Sequence, residues 1–192
     1  MFIRKKKTVF AIVLTAILSV QSFAQEIPNA VFVDFGTTIS GVLLGGFGIG
    51  LGYERGLSDY ISVMISAAYI GFVLEGETFG SYTRPDTIYT GISVGAHARV
   101  YPLADVVRRW FIDVGGNYSH ITIEFGDKAD SDLFEIGAVT GWKFVFGDSS
   151  GFFLEPGLGY TFVFGDINTP LGSADIPATD GFRLWLGLGW AF

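Results

Sequence analysis

Nine ionisable side chains punctuate otherwise apolar stretches of this chain: Asp34, Glu54, His97, Arg99, Asp113, Glu135, Lys143, Glu155 and Arg183. Carboxylates interspersed with cations and one switchable imidazole suit either of two chemistries. One is a proton path or a set of catalytic carboxylates. The other is an ion-paired plug, because isolated charges cannot be left unpaired in a confined interior. We adopt the plug. His97 and Arg99 lie two residues apart on one face, but a metal site needs more ligands than this single His supplies. Ser119 and His120 are adjacent, so on a strand they point to opposite faces, which counts against a hydrolytic dyad. Asp127, Asp130 and Asp132 lack the spacing of a calcium loop and read as a solvated acidic loop. The Gly45 to Gly52 stretch is followed by no GKS or GKT, so it is no phosphate loop.

The elements that must position these groups alternate with the strand period of two. In the last segment Phe182, Leu184, Leu186, Leu188, Trp190 and Phe192 share one face, with Gly181, Arg183, Trp185, Gly187, Gly189 and Ala191 on the other. Segments 30–40, 46–55, 60–72, 88–101, 110–123, 134–146 and 152–164 repeat the pattern, giving eight strands. Tight connectors at 56–59, 102–108 and 147–150 alternate with longer polar loops at 74–87, 124–131 and 165–179. Short turns at one end and long loops at the other are the habit of membrane barrels. The short, apolar connection at 41–46 breaks the pattern.

The 192 residues include 12 Lys+Arg, 19 Asp+Glu and no Cys; 49% are hydrophobic and only 16% charged. Disorder is excluded by that apolarity, and disulfide or thiolate-metal scaffolds by the missing sulfur. After the first two dozen residues no run approaches the roughly 20 apolar residues of a spanning helix. A water-soluble exterior is roughly 25–35% charged. Here one face is bulky and uncharged in mid-strand, and the other is mostly Gly, Ser, Ala and Thr. Lipid outside and a side-chain-filled interior satisfy both faces. The fold expected is all-β: an eight-stranded antiparallel up-and-down transmembrane β-barrel.

Residues 1–24 read as a signal peptide, with Arg4 to Lys7 as the charged region, Val9 to Val20 as the apolar core and cleavage after Ala24. An uncleaved anchor is the alternative. The barrel domain is then 25–192. Cleavage removes four basic residues and makes an acidic chain more so, which argues against nucleic acid as a partner. Arg108 and Arg109 stand in a short turn, either solvated or against lipid head groups.

The carboxyl end, Gly187-Leu188-Gly189-Trp190-Ala191-Phe192, resembles the terminal assembly signal of small outer-membrane β-barrel proteins of the OmpA/OmpX/OmpW-like class. Gly187, Trp190 and Phe192 carry the match; Trp185 stands where the class prefers a polar residue. The resemblance spans the whole mature chain and implies a barrel alone, without a periplasmic domain. It further implies a place in the outer membrane of a Gram-negative-type bacterium, after export by the signal peptide and insertion by the outer-membrane assembly machinery. Outer-membrane lipid and lipopolysaccharide are the expected surroundings, and the chain is expected to act as a monomer. Barrels similar to lipid A deacylases carry a His and a Ser two apart on one face, and this chain has no such pair. The expectation is a non-enzymatic barrel without a cofactor, structural or interacting through its extracellular loops. The alternative is a narrow transport barrel for small hydrophobic or polar solutes, with a lipid-modifying enzyme behind both.

Overall fold

A computed structural model describes residues 28–43, 45–76, 78–79, 82–83, 86–125, 127–147, 150–169, 172–175 and 181–192. The expected signal peptide, residues 1–24, lies outside the described residues, as do parts of the 74–87, 147–150 and 165–179 connectors. Eight strands form the wall: β1 (Asn29–Asp34), β2 (Phe47–Gly56), β3 (Ile61–Leu74), β4 (Thr87–Val100), β5 (Arg109–Phe125), β6 (Asp127–Phe146), β7 (Gly151–Phe164) and β8 (Gly181–Ala191). Each pairs antiparallel with its sequence neighbour, and β1 pairs with β8 to close an up-and-down barrel. The closure is fixed at its end by reciprocal backbone bonds, Asn29 N to Phe192 O at 2.7 Å and Phe192 N to Asn29 O at 2.8 Å. We call this end the base and the opposite end the mouth.

The pleat sorts the side chains as the alternation requires. Val31, Ile65, Ile92, Val94, Val114, Ile136, Leu158 and Phe162 all project outward and exposed. Between Arg55 near the base and His120 and Asp132 near the mouth, no outward-facing described residue carries a formal charge. Aromatic residues border that band on both sides: Trp110, Trp142, Phe152 and Trp190 toward the base, and Tyr69, Tyr118, Phe134 and Phe164 toward the mouth. Such a band with flanking aromatics is what a hydrocarbon slab demands of a barrel. Inward positions hold the buried core of Phe32, Met64, Tyr101, Phe111, Phe153 and Trp185.

Two expectations are corrected. The 30–40 segment is a strand only as far as Asp34, after which Phe35–Leu43 form a helix, α1. Asp34 starts it: Oδ1 accepts from Gly36 N at 2.9 Å and Oδ2 from the Thr37 hydroxyl at 2.7 Å. An Asp at this position satisfies backbone donors that the first helical turn leaves open. The apolar 41–46 connection, unexplained by the sequence, is in part the end of this helix, with Val42 and Leu43 facing outward. The second correction concerns 124–131, expected to be a loop. There β5 and β6 run on beyond the rest of the barrel as a hairpin paired as far as Phe125 and Asp127. Cross-strand pairs hold it: Lys128 to Glu124 at 3.0 Å and the Thr122 hydroxyl to Asp130 at 2.8 Å. Glu124, Lys128 and Asp130 lie on its outer face, while Ile123 and Ser131 on the other face are buried and Asn168 N donates to Ser131 Oγ at 2.8 Å.

Candidate functional site

Five of the expected lumen charges meet because each lies within four residues of the base end of its strand: Glu54 on β2, Arg99 on β4, Asp113 on β5, Lys143 on β6 and Glu155 on β7. Arg99 is the hub. Its Nε donates to Asp113 Oδ2 at 2.7 Å, Nη1 to Glu54 Oε2 at 3.1 Å and Glu155 Oε2 at 3.0 Å, and Nη2 approaches Glu155 Oε1 at 2.8 Å. Lys143 reaches from the opposite wall, bonding Glu54 and lying 2.8 Å from Glu155 Oε2. Ser62, at 2.5 Å, and Tyr101 donate their hydroxyls to Glu54, and Trp185 Nε1 donates to Glu155 Oε1 at 2.7 Å. All five charged groups are at most 4% exposed in their side chains, and among the described residues no buried side-chain polar atom lacks a partner. Burying ions is tolerable only with such complete pairing.

Aromatic rings seal the cage. The Arg99 guanidinium lies 4.5 Å from the Phe111 ring centre and the Lys143 ammonium 4.5 Å from that of Phe153. Phe32 meets Trp185 edge-on at 5.6 Å. Glycines make the room: a Cβ on Gly52, directly across from Phe32, would lie 2.0 Å from that ring.

Above the cage, His97 Nδ1 lies 2.8 Å from Asp113 Oδ1 and Nε2 lies 3.3 Å from Asn117 Oδ1. The Asn117 amide is oriented by its own donation to Glu135 Oε2 at 3.4 Å. Both ring nitrogens therefore face side-chain oxygens of β5. Toward the mouth the lumen changes character. Arg183 and Glu135 stand 3.6 Å apart, 31% and 27% exposed, with the Arg183 guanidinium 5.8 Å from the Trp185 ring centre and Gly137, Val139 and Thr161 beside it. A void of about 10 Å³ beside His97, Asn117 and Arg183 is at the lower limit for one water.

The sequence placed all nine residues on inward faces but paired several wrongly. Asp34 caps α1 and does not meet Arg183. Arg183 pairs with Glu135 and not with Glu155, while Lys143 crosses the lumen to Glu54. Neighbouring strands share a wall, but the axial level of each residue decides who meets whom, and level follows from register. Tyr101, Ser62, Asn117 and Trp185 were missed as partners; a polar tip on an inward-facing ring was the available signal for Tyr101 and Trp185.

Ser119 donates inward to Ser93 at 3.1 Å, while His120 faces outward to Asp132 at 2.9 Å. The expected separation of Ser119 from His120 therefore holds. Asp132 also accepts from the Tyr118 hydroxyl at 2.6 Å. This group lies beyond the uncharged band, and the Tyr118 hydroxyl and then His120 hold the Asp132 carboxyl below its ordinary range. A hollow of about 310 Å³ is bordered by Asp130, Asp132, Phe134, Phe164, Asp166 and Asn168. Among the described residues no three His, Cys, Asp or Glu side chains gather as metal ligands. Gly187 faces the lumen beside Trp185 and Glu155, and Trp190 projects outward.

No protein-family model and no curated protein matches the chain. Among solved structures it is similar to Neisserial surface protein A, with 14% identity over 86% of this chain and 93% of that one and a TM-score of 0.46. It is also similar to Ail, the attachment invasion locus protein of Yersinia pestis, solved in complex with the heparin analogue sucrose octasulfate. That match has 15% identity over 86% of this chain and 95% of that one, with a TM-score of 0.43. Both are small outer-membrane barrels of eight strands. The strand pairing itself establishes that this chain is a closed, eight-stranded antiparallel barrel.

Proposed function

We propose that this protein is a non-enzymatic outer-membrane barrel whose lumen is a structural plug and whose working surface is its mouth. One observation carries the reading: charges from five strands meet in a buried, fully paired cage across the base half of the lumen. A pore needs a continuous wet path, and an enzyme needs a reachable acid, base or nucleophile; a cage this satisfied supplies neither. What remains available is the mouth, with the β5–β6 hairpin and the 74–87 and 165–179 connectors. On this reading residues 1–24 direct export, and Gly187, Trp190 and Phe192 serve as the assembly signal. Lipid and lipopolysaccharide surround the uncharged band.

The orientation follows from an even strand number, which puts both termini on the periplasmic side. Cysteines introduced at Lys128 in the mouth hairpin and at Leu103 in the base turn test it on intact cells. A membrane-impermeant thiol reagent should label Lys128→Cys and spare Leu103→Cys until the outer membrane is opened. Labelling of Leu103→Cys alone would invert the topology and defeat the proposal.

A further inference from the structure

The turn that joins β4 to β5 at the base is not wetted along its whole length. Residues 102–108 read Pro-Leu-Ala-Asp-Val-Val-Arg. Pro102, Leu103 and Ala104 are exposed, yet Val106 is only 7% and Val107 0% exposed. Both belong to one buried apolar cluster with Tyr101, Phe111 and Phe153, against which Val145 packs. Connecting segments ordinarily run over the surface; this one turns two adjacent valines in under the barrel.

The backbone is bent to put them there. Ala104, Val107 and Arg109 have φ of 52°, 62° and 60°, and among the described residues no other non-glycine has a positive φ. That region is crowded for any L side chain and most of all for a β-branched one. Such a conformation persists only where its surroundings over-determine it. Here Tyr101 N donates to Tyr60 O at 2.7 Å and Arg108 Nη1 to Gly147 O at 3.1 Å, which ties the turn to the other two base turns. Within it, Arg108 N donates to Asp105 O at 3.0 Å, and Arg109 Nε lies 2.9 Å from Asp105 Oδ2.

The pleat shows what the valines add. Two residues toward the base from the caged Glu54, Arg99, Asp113, Lys143 and Glu155 stand Gly56, Tyr101, Phe111, Val145 and Phe153. Gly56 and Gly151 bring no side chain to this rim, and Ala30 faces Ala191 across the closure with little more. All four are nevertheless buried. The rim of the wall is short of side-chain volume, and the turn supplies it.

We propose that Val106 and Val107 are a stopper in the base of the barrel, closing the lumen on the periplasmic side of the charge cage. This role rests on the plugged-barrel reading and adds to it the element that shuts the base. Water beside the cage would weaken its ion pairs, and valine offers water no partner. Stopper and cage fill one cross-section between them, so loss of either admits water.

Ser62, buried and paired with Gly56 at the base rim, reports on the closure. The test is labelling of the Ser62→Cys protein by a small charged thiol reagent in lipid nanodiscs, where both ends of the barrel meet water. Far-UV circular dichroism confirms the folded barrel, and Ser93→Cys in the vestibule is the open control, expected to react faster. Adding Val107→Gly suits a φ of 62° and keeps the course of the turn while emptying the floor. It should speed labelling of Ser62→Cys by about ten-fold or more, the factor that burial of one such side chain is worth. Leu103→Ser, on the exposed side of the same turn, should leave the rate unchanged. Equal protection with Val107→Gly and with Val106→Ala/Val107→Gly, while the control reacts, would overturn the stopper and leave the plug reading standing. So would an equal rise with Leu103→Ser. Fast labelling of Ser62→Cys with both valines in place would overturn the plug reading and the stopper together. Should Ser62→Cys disturb folding, acrylamide quenching of Trp185 decides, in a protein carrying Trp110→Phe, Trp142→Phe and Trp190→Phe. Quenching that rises with Val107→Gly supports the stopper, and quenching that does not change refutes it.

Discussion

The two halves of the lumen use the same kinds of charged residue to opposite effect. At the base, Glu54, Asp113, Glu155, Arg99 and Lys143 are buried beneath Phe32, Phe111, Phe153 and Trp185, and each charge has several partners. At the mouth, Glu135 and Arg183 face one another at 3.6 Å, about 30% exposed, with Gly137, Val139 and Thr161 beside Arg183. The difference lies in exposure: rings close over the charges at the base, which forces complete pairing, whereas Glu135 and Arg183 keep about 30% of their side chains open, which lets pairing relax. A charge in the lumen is therefore structural or merely solvated according to its level along the barrel.

Removing a cation from each half should separate them most sharply. Arg99→Met removes a buried partner from three carboxylates at once, leaving Lys143 to share Glu54 and Glu155, and breaking a buried ion network in this way costs about 3–5 kcal/mol. Urea unfolding in vesicles, followed by tryptophan fluorescence, should show a large fall in midpoint or no folded barrel at all. Unchanged stability would mean that the cage is wet. Gly52→Ala probes the packing that excludes the water. Its methyl would meet the Phe32 ring, and overpacking of this kind costs roughly 1–3 kcal/mol in the same assay. Arg183→Met at the mouth removes a loose, partly solvated pair and should cost less than about 1 kcal/mol. A loss equal to that of Arg99→Met would erase the distinction between the halves.

The smallest effect lies outside the lumen. The Asp132 carboxyl is held below its ordinary range by the Tyr118 hydroxyl and His120. Stability from a depressed carboxylate is present above its unfolded-state value and lost as pH falls through the folded one. The hairpin base should therefore loosen only below about pH 4, as faster amide exchange around Tyr118, and Asp132→Asn should remove that dependence.

Much of this was legible in the sequence. Period-two alternation gave the eight strands and both faces, and the nine charges on the inner face were found because a lipid-facing band excludes them. What alternation cannot supply is level. Glu135 and Lys143 lie on one strand and one face, yet eight residues of extended chain put one at the mouth and the other in the cage. Residues 35–40 alternate as a strand does, so the helix there was hidden, and only the Asp34 side chain marks where it starts. The 124–131 segment was hidden for the opposite reason: beyond the uncharged band the outer face of its strands carries Glu124, Lys128 and Asp130, which gives it the composition of a loop.

Conductance through the purified protein in a planar bilayer tests the central claim, that the base half of the lumen is sealed by its charge cage. The unmodified barrel should show no steady open-channel current, Arg183→Ala should match it, and Lys143→Ala should leak, because Glu54 and Glu155 must then recruit water. Stable currents from the unmodified protein would contradict the account and favour a transport barrel.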